Sequence, residues 1–155
     1  MKREYPDAPL AGVGAVVIDH GQVLLVRRGN EPMKGEWSLP GGLLELGETL
    51  WQGVVREVLE ETCLTIQPLF IVEIFDRIVH DEDGRVRYHY VLVDWACRVV
   101  SGTLCCADDA ADARWVHRTE LTSQSEYKLA PFTVAVIEKA FQMTAEPAIQ
   151  EQIHL

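Results

Sequence analysis

Residues 35–64 read GEWSLPGGLLELGETLWQGVVREVLEETCL, and they determine how the rest of the chain can be interpreted. Glycine and proline at the start of this stretch are typical of a loop, which we expect at Gly29–Pro40. A short extended segment should follow at Gly41–Glu45. Thr49 and Gln52 have the spacing of a capping box, in which a hydroxyl and an amide satisfy backbone N–H groups at a helix start. We therefore predict a helix from about Thr49 to Thr62.

The predicted helix places glutamates side by side. At about 100° per residue, Glu57, Glu60 and Glu61 fall within an arc of about 100°, next to a separate apolar arc that contains Val54 and Val58. Neighbouring carboxylates repel each other, and toward a helix C-terminus they also meet an unfavourable macrodipole. A solvated acidic face would explain the glutamates alone, whereas a hard divalent cation such as Mg²⁺ or Mn²⁺ would convert the repulsion into binding.

The context of the glutamates favours the cation. Gly42 is followed by five residues, Glu48, seven residues and then Arg56-Glu57-Val58-x-Glu60-Glu61. This order resembles the Nudix box, which has glycine, five residues, glutamate, seven residues and then Arg-Glu-apolar-x-Glu-Glu-x-Gly-apolar; the preceding Gly35-x-Trp37-x-Leu39-Pro40-Gly41-Gly42 is also similar to the family. Cys63 departs from the box, because the family has a glycine there that ends the helix in a left-handed conformation, which costs about 1 kcal/mol for cysteine.

The resemblance implies a metal-dependent hydrolase that cleaves the diphosphate bond of a nucleoside diphosphate derivative. By position, it implies that Mg²⁺, or alternatively Mn²⁺, is bound by Glu57, Glu60, Glu61 and the backbone carbonyl of Gly41. The resemblance implies that the same three glutamates are catalytic, together with Glu48 and Arg56. Glu48 would act at the metal site either directly or through a water molecule. Arg56 would orient a box glutamate by a charge-assisted hydrogen bond. A carboxylate would take the proton of the attacking water, and four candidates stay open: Glu57, Glu61, Glu120 and Glu126.

Candidate substrate-binding residues lie outside the box. Arg27 and Arg28 end a predicted strand that leads toward the loop, so one of them could contact a phosphate, while alternation leaves at least one as a surface charge. Tyr88, with His89 and Tyr90, could offer a surface for base stacking, although aromatic residues on a strand more often serve packing.

The rest of the chain predicts strands and one further helix. We expect a hairpin of strands at 13–19 and 22–28 around His20-Gly21, strands at 66–78, 85–100 and 113–116, a helix at 130–143 and a frayed last dozen residues. Helices between and after strands indicate an α/β (α+β) layered domain with a mixed sheet. The resemblance specifies a Nudix-like α/β/α sandwich, which we expect to occupy residues 1–155 as a single domain.

The acidic composition limits the partners. Twenty-four Asp and Glu residues outweigh fourteen Lys and Arg residues, which gives a formal net charge of -10. Nucleic acids and anionic membrane surfaces favour basic proteins, so we expect neither as a partner. A small anionic ligand would then need a cation or a local basic patch. The four cysteines have no zinc-site spacing and the N-terminus has no signal-peptide pattern, so we expect reduced thiols in a cytoplasmic protein.

Three functional hypotheses stay open. The chain is similar to small Nudix proteins that act on ADP-ribose, which favours ADP-ribose or a nucleotide sugar as the substrate. One group of ADP-ribose hydrolases in the family is marked by a proline beyond the box. That proline is not evident here, since Pro68 is the only proline in 65–99. A (d)NTP pyrophosphohydrolase is therefore the alternative. A non-catalytic nucleotide-binding sensor is a third hypothesis, disfavoured by the intact glutamates and by a charge unsuited to DNA. The resemblance also implies a possible homodimer.

Overall fold

The computed structural model describes residues 2–30, 33–107, 110–122 and 124–145. Its elements are β1 (Leu10–Asp19), β2 (Gln22–Arg28), β3 (Trp37–Ser38), β4 (Gly41–Leu43), α1 (Leu50–Thr62), β5 (Thr65–His80), β6 (Val86–Ser101), β7 (Ala110–His117) and α2 (Pro131–Thr144). Both predicted helices and all the predicted strands are confirmed. The sequence missed β3, whose two residues pair with β2 inside the expected loop. The predicted fraying concerns residues that lie almost entirely outside the described ranges.

The strands form one mixed sheet. They follow the order β3-β2-β1-β6-β5, with β4 paired to β1 and β7 paired to β2. β1 and β6 run parallel, whereas the other pairs are antiparallel. The predicted hairpin of β1 and β2 turns at His20 and Gly21, whose φ angles of 50° and 76° are those that a two-residue hairpin loop requires.

The two helices cover opposite faces of this sheet, and β1 and β2 contribute to a core on each side. Successive residues of a strand point to opposite faces, so an unbroken apolar run such as 13–17 is buried on both sides. The core under α1 contains Val13, Ala15, Val17, Leu24, Val54 and Val58. The core under α2 contains Val16, Val23, Leu25, Ile137 and Ala140. The predicted α/β/α sandwich is therefore confirmed, and α1 is fixed by the apolar face adjoining its glutamates.

A disulfide joins Cys63 to Cys105, which corrects the expectation of four reduced thiols. Cys63 ends α1 in the left-handed conformation, with φ 64°, as the glycine of the Nudix box would. The amide of Cys105 donates to the carbonyl of Thr62 at 3.0 Å, and this backbone bond brings together two cysteines that are 42 residues apart. Cysteine spacing alone does not reveal such a contact. Among the described residues, no helix is long and apolar enough to cross a membrane.

We expect reduction of the Cys63–Cys105 bond to destabilise the protein. A cross-link between residues 42 positions apart restricts the unfolded chain, and such a closed loop stabilises the folded state by about 3–4 kcal/mol. The measurement is urea unfolding of the wild type with and without dithiothreitol. A Cys63→Ser/Cys105→Ser variant is the control, because it should be insensitive to the reductant. An equal midpoint for oxidised and reduced wild type would contradict this prediction.

Candidate active site

Arg56, in the middle of α1, connects acidic side chains of the helix with one that precedes it. Its Nε and Nη2 donate to the two carboxylate oxygens of Glu48 at 2.6 and 2.8 Å. Its Nη1 donates to Glu57 at 2.9 Å and to Glu60 at 3.2 Å, and Nη2 also donates to the carbonyl of Leu43 at 3.1 Å. Arg56 thus makes charge-assisted bonds of the expected kind, to three box glutamates and to the preceding loop. A role for it in catalysis stays a prediction.

The glutamates bound to Arg56 occupy different electrostatic environments. The hydrogen bond from Arg56 lowers the pKa of Glu48 below its ordinary value. Burial raises the pKa of Glu57, although Arg56 opposes this effect. The Glu57 side chain is only 15% exposed and lies against Gly42, where an added Cβ would come within 2.5 Å of the carboxylate. A side chain at position 42 would therefore displace the Glu57 carboxylate.

Glu60 and Glu61 face different surroundings. The Glu60 side chain is 41% exposed, whereas Glu61 is buried. Glu61 lines a small cavity of about 20 Å³ together with Gly41, and this cavity also borders Arg27 and Arg28. A space of that size holds about one water-sized particle.

These oxygens are suitable ligands for Mg²⁺ or Mn²⁺. The carboxylates of Glu57, Glu60 and Glu61 and the backbone carbonyl of Gly41 are all hard oxygen donors. Within the described ranges, no group of three or more His, Cys, Asp and Glu side chains is already arranged as a metal site. Arg56 bonds to both Glu57 and Glu60, so binding of a cation by these carboxylates would compete with that guanidinium.

A larger cleft, of about 840 Å³, also has Gly41 in its wall and is lined by the predicted substrate-binding residues Arg27, Arg28 and Tyr88. The register of β2 against β7 shifts between Arg27 and Arg28. Because such an irregularity interrupts strict alternation, both arginines reach the cleft, and Arg27 is also exposed as expected. Tyr88 stacks on Tyr90, which also lines the cleft, with ring centroids 6.2 Å apart and planes 15° from parallel.

Several further residues of the cleft were not predicted. Arg77 lies over the ring of Phe132, with 5.3 Å from its guanidinium carbon to the ring centroid. Other cations in the lining are Arg3 and Lys128, and other aromatic residues are Trp37, Phe75 and Tyr127. The pairing of the strands and the position of the segment before α2 bring these residues together, and no local sequence signal marks them. The cleft nevertheless provides the local basic patch that an acidic protein needs for an anionic ligand.

Asp94 is a buried carboxylate that the sequence interpretation missed. It lines the cleft from β6, and its exposed fraction is 7%. Burial raises its pKa to about 6, and repulsion from Glu73 contributes further. An acidic residue within the apolar run VLVDWA (91–96) was the available signal, because such a run otherwise predicts a buried strand.

The four candidates for the general base lie at different places in the structure. Glu57 lies at Gly42, and Glu61 lines the small cavity beside Gly41. Glu126 lines the large cleft, has a side chain that is 69% exposed and lies 3.5 Å from the guanidinium of Arg114. Glu120 belongs to an exposed 3₁₀ turn and does not line the cleft. The identity of the base stays a prediction.

Replacing Asp94 by asparagine should stabilise the protein at pH 8 but not near pH 4. The pKa of Asp94 is about 6 in the folded protein against an ordinary 3.8, so stability is lost as the pH rises through about 6. This difference corresponds to about 2–3 kcal/mol at most in the free energy of unfolding. Urea unfolding of Asp94→Asn and wild type at both pH values measures it. Asp76→Asn, at an exposed position of β5, is the control, and an equal effect of Asp94→Asn at pH 4 and pH 8 would contradict the prediction.

Comparison with known proteins agrees with this geometry. A NUDIX hydrolase from Nitrosomonas europaea superposes with a TM-score of 0.73 at 25% identity, over 88% of this chain and 90% of that chain. Residues 8–139 match the NUDIX domain, and the chain belongs to this family. An ADP-ribose pyrophosphatase of Methanocaldococcus jannaschii is 33% identical over 107 residues, which is 69% of this chain and 61% of that protein.

A third similar protein was solved with a ligand. The NUDIX domain of Shewanella oneidensis NrtR, in complex with ADP ribose, has a TM-score of 0.69 and 27% identity over 90% of this chain and 91% of that chain. The match to the archaeal pyrophosphatase spans about three fifths of that protein's length, at 61%.

Proposed function

We propose that this protein hydrolyses the diphosphate bond of a nucleoside diphosphate linked to another moiety, with ADP-ribose or a nucleotide sugar as the substrate. The observation that carries the proposal is that two spaces share part of their lining. The large cleft and the small cavity lined by Glu61 share Gly41, Arg27 and Arg28 in their walls. A ligand in the cleft could therefore place a phosphate beside the box carboxylates.

The cleft has the chemistry of a nucleotide site. Its volume, about 840 Å³, lies within the range of small-molecule sites. Aromatic residues such as Trp37 and Tyr88 can pack against a base, and the guanidinium groups of Arg27, Arg28 and Arg77 can pair with phosphate oxygens. The similarity to the archaeal ADP-ribose pyrophosphatase and to a domain that was solved with ADP ribose supports the same substrate class.

The residues of the box and of the cleft would have different roles in hydrolysis. A bound divalent cation supplies charge neutralisation at the diphosphate and activation of the attacking water. Glu57, Glu60, Glu61 and the Gly41 carbonyl would hold it, while Arg56 and its partner Glu48 would position Glu57. Glu57, Glu61 or Glu126 would accept the proton of the water, and Arg27 and Arg28 would bind phosphate oxygens away from the cation.

The cleft and the net charge also support a proposal for the kind of partner that the protein binds. A small nucleotide is the proposed ligand, and the net charge of -10 supports the exclusion of nucleic acid and of anionic membranes. The homodimer, the cytoplasmic location and the extent of a single domain over 1–155 stay predictions. Sedimentation of the purified protein and fractionation of its source cells would test the first two.

The test is a product assay on a panel of nucleotides with Mg²⁺ or Mn²⁺. The panel contains ADP-ribose, a nucleotide sugar, a dinucleotide and (d)NTPs, with nucleoside monophosphate, phosphate and pyrophosphate measured separately. We expect AMP and ribose 5-phosphate from ADP-ribose. Pyrophosphate from (d)NTPs without turnover of ADP-ribose would replace the substrate class by the alternative. Tight nucleotide binding without any product would contradict hydrolysis and favour the sensor hypothesis.

A further inference from the structure

Asp94 is a mostly buried acidic residue whose carboxylate faces the large cleft. Its exposed fraction is 7%, and its remaining surface opens into the large cleft. In the described part of the chain, no group donates a hydrogen bond to this carboxylate, and the charged group that affects its pKa, Glu73 on the neighbouring strand, is also an anion. Burial disfavours the ionised form of this carboxylate. A need for this acceptor in binding would explain its presence.

The backbone around Asp94 leaves space for its carboxylate. Gly14 on β1 is in register with Asp94 on β6 on one side and with Gly41 on β4 on the other. An added Cβ on Gly14 would collide with Oδ1 of Asp94, so the carboxylate lies directly over the backbone of β1. The carboxylate therefore lies in the wall of the cleft, with β1 between Asp94 on β6 and the start of the box on β4.

The charges of the cleft indicate which part of a ligand would meet Asp94. The ionised Asp94 carboxylate would repel phosphate groups, whereas the cations of the lining, which include Arg27, Arg28 and Arg77, would attract them. Among the groups of a nucleotide, only an N–H or O–H donor can form a hydrogen bond with Asp94 while it is ionised. A nucleotide offers such donors on its base and on its sugar.

We propose that Asp94 accepts a hydrogen bond from the uncharged part of a bound nucleotide, an amino group of the base or a hydroxyl of the sugar, and thereby determines which nucleotides bind. This inference rests on the proposed function, because the cleft must hold a nucleotide. A site that pairs a buried polar group with its ligand rejects analogues that lack the partner group. A hydrogen bond to a charged group corresponds to about a 10- to 100-fold difference in affinity.

Calorimetric binding of nucleoside monophosphates tests this role without any need for hydrolysis. AMP is compared with purine riboside 5′-monophosphate, which lacks the amino group, and with 2′-deoxy-AMP and 3′-deoxy-AMP, which lack one hydroxyl. We expect the wild type to bind one of these analogues about 10- to 100-fold more weakly than AMP. Loss of affinity for the first analogue would assign the donor to the base, and loss for a deoxy analogue would assign it to the sugar.

Variants of Asp94 separate selectivity from a structural role. Asp94→Ala should bind AMP as weakly as the wild type binds the rejected analogue, with a ratio of affinities near one. Asp94→Asn, whose amide oxygen still accepts, should retain part of the discrimination, and the exposed Asp76→Asn should behave as wild type. A uniform loss of affinity with an unchanged ratio would overturn the proposal, as would equal binding of all four nucleotides by the wild type.

The binding and hydrolysis experiments can fail independently. Turnover of ADP-ribose with an unchanged affinity ratio in Asp94→Ala would overturn the role of Asp94 and leave the proposed hydrolase intact. Discrimination through Asp94 without turnover of any nucleotide would support this inference and contradict hydrolysis. Absence of AMP binding to the wild type would overturn the role of Asp94, whereas the product assay alone decides hydrolysis.

Discussion

Glu60→Gln should hydrolyse ADP-ribose with a kcat about 100- to 1000-fold lower than the wild type, because it removes one charge that stabilises the cation-assisted transition state. Glu60 is the most informative box position for this test. Its side chain is 41% exposed and makes a hydrogen bond of 3.2 Å to Arg56, so glutamine can replace it with little change in packing. Glu57→Gln and Glu61→Gln should show losses of the same order, but both side chains are more buried.

Glu45→Gln is the matched control for these variants. Glu45 also lies near Arg56, at 3.7 Å, but its side chain is 67% exposed and it is not one of the implied metal ligands. We expect nearly wild-type kcat for this control, and unfolding curves close to wild type for both Glu45→Gln and Glu60→Gln. Full activity of Glu60→Gln at saturating Mg²⁺ would contradict the role of Glu60 as a ligand.

Arg56→Ala should lower the free energy of unfolding by about 2–3 kcal/mol, because hydrogen bonds to charged groups are strong and their loss leaves carboxylates unpaired. Arg56 is only 22% exposed and binds both oxygens of Glu48 besides Glu57 and Glu60. Arg56→Lys should be intermediate, since an ammonium group cannot reproduce the bidentate geometry. Urea unfolding provides the measurement.

Arg118→Ala is the control for the arginine variants. Arg118 also pairs with a carboxylate, that of Glu138 at 2.7 Å, but both side chains are more than a third exposed. Exposed pairs contribute little to stability, so we expect a much smaller change than for Arg56→Ala. Equal destabilisation by the two alanine variants would show that the contacts of Arg56 with the box glutamates have no special structural role.

The part of the fold encoded in local patterns was predictable from the sequence. Thr49 and Gln52 form both hydrogen bonds of the capping box, and α1 begins where that pattern predicted and ends at Thr62, as expected. The apolar run of β1 and the turn at His20-Gly21 also follow local rules. The glutamates fall together on α1 because helical spacing fixes their relative positions.

Features that depend on long-range register were not predictable in the same way. Asp94 meets Gly14 only because β6 lies parallel to β1 in one particular register. Arg77 reaches the cleft from β5, a long strand that shows several register shifts against β6. The disulfide of Cys63 with Cys105 depends on contacts of the segment after β6 with the end of α1. None of these contacts has a signal in the spacing of nearby residues.

The most direct test of a cation-dependent diphosphate hydrolase is a ³¹P NMR time course of the wild type with ADP-ribose, started without metal and continued after addition of Mg²⁺. We predict that the diphosphate resonances persist before the addition and are then replaced by two phosphomonoester resonances, those of AMP and ribose 5-phosphate. Diphosphate resonances that broaden through binding but persist after Mg²⁺ or Mn²⁺ is added would contradict cleavage of this substrate.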